Sequence, residues 1–258
     1  MICSHLLIPA ILIALIACAP VTPHTLTVFA SASLTDAFNE IGQDFEASHP
    51  DVAVIFNFGN SQTLRTQIEQ GAIADVFASA NQMEMDALTK SGLVTEDVAR
   101  VFVTNQLVVI LPANNPANIQ GMADLIHAGM KIVLVTEEGP AGKYARQALE
   151  NLNALYGVDF KDRVLANVVS NEENAKLVVA KVQLGEADAG IVYISDAIAA
   201  PELKTIQIAA EHNVIAKYYI AMLNNAPNPE PAAEFVAYVL SPGGQAILKK
   251  WGFTPITP

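Results

Sequence analysis

Four short stretches of this chain place small and polar residues directly in front of a helical pattern: Ser31 to Ser33, Asn60 to Thr63, Pro140 to Gly142, and Asn171 to Asn174. The first backbone N–H groups of a helix have no intrahelical acceptor, and the helix dipole adds partial positive charge at the same end. Such a terminus stabilises an anion without any charged side chain. Each stretch reads equally well as an ordinary N-cap, because Ser, Thr, Asn and Asp are preferred there in any protein. Spacing alone leaves both readings open.

Other residues able to do chemistry are sparse. The five histidines, His5, His24, His49, His127 and His212, show no His-x-x-x-His spacing, and neither Gly-x-Ser-x-Gly nor Ser-x-x-Lys occurs. Gly139 to Tyr144 lacks the glycine spacing of a phosphate loop and the Ser or Thr that would follow Lys143. An enzyme is therefore not expected. The pair Tyr218-Tyr219 could offer phenolates to ferric ion, but neighbours on a strand face opposite sides, so only one could enter a cleft.

The elements needed to position these stretches are legible from periodicity. Leu26 to Ala30 reads as a strand, and Leu34, Ala37, Phe38, Ile41 and Phe45 follow at helical spacing. Val52 to Phe56 is a second strand, followed by a turn over Gly59 to Thr63 and a helix over Leu64 to Gln70 that Gly71 ends. Asp75 to Ala80 is a third strand, with a helical stretch through Met85 and Leu88. The alternation restarts beyond Thr104. Strands are expected over Gln106 to Leu111, Lys131 to Thr136, Val164 to Val169 and Gly190 to Tyr193. Helices are expected over Met122 to Ala128, Lys143 to Leu155 and Ala175 to Leu184. Tyr218 to Leu223 is β-like, and Pro231 to Leu240 and Pro242 to Trp251 are terminal helices. Alternating strands and helices imply parallel pairing with crossovers. In open sheets of that kind, ligands bind outside the carboxyl ends of the strands, where all four polar stretches would lie.

Composition bounds the class. With 258 residues, 52% of them hydrophobic and 16% charged, the chain can bury a large core or two smaller ones. Its 14 Lys and Arg stand against 26 Asp and Glu, a formal charge of −12, which disfavours nucleic acid as a partner. The first 35 residues carry no Asp, Glu, Lys or Arg, and Leu6 to Ala17 is an apolar run of 12. That is too short to span a bilayer but suits a secretion signal. Leu15-Ile16-Ala17-Cys18 resembles the lipobox of bacterial lipoproteins, which makes Cys18 the expected lipidation site and residues 1–18 the signal segment. Cys3 lies inside that signal, so no disulfide is expected.

A set of motifs in order carries a resemblance. The segments are Val28 to Ala37, Ser61-Gln62-Thr63-Leu64, Ala74 to Ala80, Pro140-Ala141-Gly142-Lys143-Tyr144-Ala145, Glu172-Glu173-Asn174, and Gly190 to Ala197. Together with Gly244-Gln245-Ala246 and Gly252-Phe253 they resemble the periplasmic molybdate-binding proteins of ABC transporters, of the type II periplasmic binding protein class. The resemblance implies an α/β fold with two Rossmann-like lobes, whose mixed, mostly parallel sheets are joined by a two-strand hinge. Residues 24–104 and 217–258 would form one lobe, and 105–216 the other. It also implies an oxyanion, molybdate or tungstate, held by the hydroxyls of Ser33, Ser61 and Tyr193 and by the N–H groups of Ala141 and Ala175. No side chain would coordinate the metal directly, and no cofactor is expected. Phe58-Gly59-Asn60 departs from the alanine and serine run usual before Ser61, so Asn60 or Gln62 could share the ligand. The expected partners are an ABC transporter permease and, through the lipid anchor, the outer face of the cell membrane, with the receptor itself a monomer. Another tetrahedral oxyanion such as sulfate, or ferric ion on the same fold, is the alternative.

Overall fold

The computed structural model describes residues 24–256. The apolar run from Leu6 to Ala17, Cys3 and Cys18 lie outside the described residues.

The first lobe opens with β1 (His24–Ser31), one turn of 3-10 helix (Ala32–Leu34) and α1 (Thr35–Ser48). β2 (Val52–Gly59), α2 (Ser61–Glu69), β3 (Val76–Ser79), α3 (Gln82–Lys90) and β4 (Arg100–Asn105) follow. The helical spacing read in α1 is the one that packs: Leu34, Ala37, Phe38, Ile41 and Phe45 are all fully buried. Phe38 and Phe45 meet Phe235 edge-on, at centroid separations of 6.0 and 5.4 Å, an arrangement that suits the ring quadrupoles.

The second lobe holds β5 (Leu107–Leu111), a 3-10 turn (Met122–Ile126), β6 (Ile132–Val135), α4 (Pro140–Tyr156) and α5 (Phe160–Leu165). It continues with β7 (Val168–Glu172), α6 (Ala175–Gln183), β8 (Ala189–Tyr193), α7 (Ile194–Ile198) and β9 (Lys204–Gln207). The chain then returns to the first lobe through β10 (Ala216–Met222), α8 (Pro229–Leu240), α9 (Pro242–Lys250) and β11 (Thr254–Pro255).

The two sheets run β11-β4-β10-β3-β1-β2 and β7-β6-β8-β5-β9. Both are mixed. β1 pairs parallel with β2 and β3, and β6 pairs parallel with β7 and β8, as strand and helix alternation requires. The parallel expectation fails for the strands next to the crossings. β10 lies antiparallel between β3 and β4, and β5 lies antiparallel to β8 and β9. These strands arrive from the other lobe, so no crossover helix sets their direction.

Two passages of chain join the lobes. Asn105 ends β4 and Leu107 starts β5, with Gln106 between them, and the return runs from β9 to β10. Asn213 on the return bonds both backbone groups of Leu107, its Oδ1 accepting the N–H at 3.1 Å and its Nδ2 donating to the carbonyl at 2.9 Å. That ties the two passages together.

One expected strand is corrected. Val164 to Val169 is divided between α5, where Phe160 and Val164 are buried one turn apart, and β7, which begins at Val168. The i, i+4 pair makes the first half helical. β4, α7, β9 and β11 were not foreseen; three of the four are short, and β4 was hidden by its near-continuity with β5.

Candidate anion-binding site

Four helical N-termini meet where the lobes face each other. The 3-10 turn and α2 come from the first lobe, α4 and α6 from the second, and their first residues line one cavity with Tyr193. The cavity is small, with about 20 Å³ open to the centre of a water-sized sphere. Room on that scale suits one compact ion and excludes a sugar or a peptide.

Four hydroxyl-bearing residues line this space, Ser31, Ser33, Ser61 and Tyr193, and their other bonds determine what they offer it. Ser61 is fully buried in the first turn of α2, and its Oγ accepts the Ala80 N–H at 3.1 Å. With an acceptor site occupied, its proton remains to be donated. Ser33 Oγ lies 2.8 Å from the hydroxyl of Tyr218 and 3.3 Å from Ser31 Oγ. When Tyr218 donates, the Ser33 proton is free in the same way. Tyr193, at the end of β8, is 2% exposed, and its hydroxyl has no hydrogen-bond partner among the described residues. An unpartnered buried hydroxyl costs about 1–3 kcal/mol, so its place beside a cavity points to a missing acceptor.

Burial pushes the Tyr193 hydroxyl well above the ordinary tyrosine range, and Tyr218 is raised for the same reason. Both therefore keep their protons and can donate. Backbone donors complete the set. Ala141 sits in the first turn of α4 behind Pro140, and Ala175 is the first residue of α6 after its cap Asn174. Neither N–H has an intrahelical acceptor at such positions. Gly142 permits the approach of α4, because a Cβ there would lie 2.0 Å from the Thr136 carbonyl oxygen.

All five residues expected to bind the ligand thus border one cavity, and Asn60 joins them. Gln62 does not line it; its N–H instead bonds Asn60 Oδ1 at 3.0 Å, capping α2. Residues that sequence reasoning missed stand just behind. Tyr218 was noticed only as one of a tyrosine pair; it is fully buried against Ser33, whereas Tyr219 turns outward to Gln82. As neighbours on β10 the two point to opposite faces, which separates their roles. Lys176 in α6 pairs with Asp36 of α1 across the cleft and lies 3.8 Å from Asp196. Asp196 is fully buried, and burial outweighs Lys176 to push its carboxyl up to about 6. Among the described residues no group of three or more His, Cys, Asp or Glu could hold a metal ion.

The model of the family described as "Bacterial extracellular solute-binding protein" matches residues 26–254. The chain belongs to that family. This solute-binding protein is 38% identical over 231 residues to the "Molybdate-binding protein ModA" of Mycobacterium tuberculosis, covering 89% of this chain and 84% of the relative. A solved "substrate binding domain of putative molybdenum ABC transporter from Clostridium difficile" is 33% identical with a TM-score of 0.69, covering 90% of this chain and 99% of the other. The periplasmic molybdate-binding protein of Azotobacter vinelandii superposes with a TM-score of 0.78 at 20% identity, covering 90% and 99%, and so speaks for the two-lobe fold alone. These relatives are named for the solutes they bind, not for reactions they catalyse.

Proposed function

We propose that this solute-binding protein captures molybdate or tungstate in the cavity between its lobes and delivers it to an ABC transporter permease on the outer side of the cell membrane. The observation that carries the reading is the buried, unpartnered hydroxyl of Tyr193, set against a cavity that Ser33, Ser61 and two helix N-termini also border. Hydrogen bonds to a charged group are worth about 1.5–3 kcal/mol each net. Several together supply the roughly 8 kcal/mol that micromolar binding requires. Donors suit a fully ionised tetrahedral oxyanion, whereas a protonated phosphate also needs an acceptor.

The names of the relatives support molybdenum over other oxyanions. Ferric ion is disfavoured, since Tyr218 is engaged by Ser33 and Tyr219 faces away. Cys18 would anchor the mature protein through lipid, a reading that rests on the Leu-Ile-Ala-Cys sequence, and the receptor would act as a monomer without a cofactor.

Calorimetric titration of the purified protein with molybdate, tungstate, sulfate and phosphate tests the proposal. Tight binding of the first two is expected; preference for sulfate, or no binding of any of the four, would overturn it.

A further inference from the structure

Asn60 lines the cavity, yet both ends of its amide are already engaged. Its Oδ1 accepts the Gln62 N–H at 3.0 Å within the first lobe. Its Nδ2 reaches across the cleft and donates to the Glu173 carbonyl of the second lobe at 3.1 Å. A flipped amide would set oxygen against carbonyl oxygen, so the cap fixes which end faces the other lobe. The second lobe is shaped to receive it. At Gly139, the residue before α4, an added Cβ would lie 2.5 Å from Asn60 Nδ2. A hydrogen bond on one side and a bare backbone on the other form a socket.

We propose that Asn60 is a positioning residue that latches the closed cleft, holding the turn that presents the Ala175 N–H to the ligand. Glu173 stands two residues before Ala175, so a bond to its carbonyl holds the Glu173–Asn174 peptide, one unit before the peptide that carries the Ala175 N–H. The latch exists only when the lobes meet, so it slows release of the ligand without speeding capture. The identity of the oxyanion rests on the function proposed above, but the latch does not.

The test uses Asn60→Ser, because serine caps a helix about as well as asparagine but cannot reach Glu173. Whichever oxyanion the wild-type protein binds in the four-anion titration serves as the probe, so sulfate binding would sink the molybdate reading and leave the latch testable. Stopped-flow measurement should show dissociation faster by about 2- to 12-fold, the range set by one neutral hydrogen bond. Association, and the melting temperature of the ligand-free protein, should stay unchanged. Gly139→Ala should also speed dissociation, and by a larger factor with Asn60 present than in the Asn60→Ser background, where the socket is vacant. An unchanged dissociation rate in Asn60→Ser, or a loss confined to association, would overturn the latch. Strictly multiplicative effects of the two substitutions would do the same.

Discussion

Replacing Tyr193 by Phe removes one oxygen and keeps the ring, so its consequences can be worked from the structure. The ring packs at 66° to Tyr218 with centroids 5.8 Å apart, and phenylalanine preserves that contact. What is lost is a buried hydroxyl with no hydrogen-bond partner among the described residues. If that hydroxyl donates to a bound oxyanion, its removal costs a charge-assisted bond of about 1.5–3 kcal/mol, or roughly 10- to 150-fold in Kd. The ligand-free protein should behave in the opposite sense. Without an anion the hydroxyl has no partner to lose, so the melting temperature without ligand should hold steady or rise. Calorimetry with molybdate gives the first quantity and a thermal melt without it gives the second. A Kd within about twofold of wild type, together with a lower melting temperature, would show that the hydroxyl serves the core and would refute the reasoning.

Ser61→Ala should differ in kind. It removes a donor from the cavity and also strips the Ala80 N–H of its acceptor, so ligand affinity and ligand-free stability should both fall, the latter by about 1–3 kcal/mol in chemical denaturation. Asp196→Asn probes the buried carboxyl behind the site. With its folded pKa raised from 3.8 to about 6, the folded state binds the extra proton between those values. The resulting stability is fully present below about pH 4 and is lost as the pH rises through about 6, up to roughly 3 kcal/mol. The stability of Asp196→Asn relative to wild type should therefore climb between pH 4 and pH 7, as read from denaturant midpoints at each pH. A constant difference would show that the carboxyl titrates normally.

Much of the first lobe was legible because its signals are local. The helical spacing of α1 needs only five residues, and the strand at Val28 ends in small residues that leave room for a turn. Those residues alone could not distinguish a helix cap from an anion site. Ser33 and Ser61 become donors through Tyr218 and the Ala80 N–H, 185 and 19 residues away along the chain. The same holds for Asn60, whose partner on the second lobe is 113 residues distant. The mistaken strand at Val164 failed for another reason. A run of apolar residues of that length reads as either element, and the buried pair Phe160 and Val164 settled it as helix. The strands β5 and β10 near the hinge were legible, but their antiparallel sense was not, because direction depends on which lobe a strand enters from, which local periodicity does not encode.

An acidic protein that binds a dianion must separate the two charges in space. The formal charge of −12 acts over the surface, where salt screens it beyond about 8 Å. Within the cavity the relevant groups are N–H and O–H dipoles, which attract at contact and are hardly screened. Two carboxylates behind the site need separate treatment, and Lys176 provides it by lying between Asp36 on one lobe and Asp196 on the other. Asp196 stays uncharged more readily than an exposed carboxyl, since burial pushes it up to about 6, and an anion arriving nearby can only strengthen that tendency. Asp36 can meet Lys176 only when the cleft is shut. The cation is thus shared across the lobes in the state that encloses the ligand, so the two carboxylates are offset when the cavity is shut.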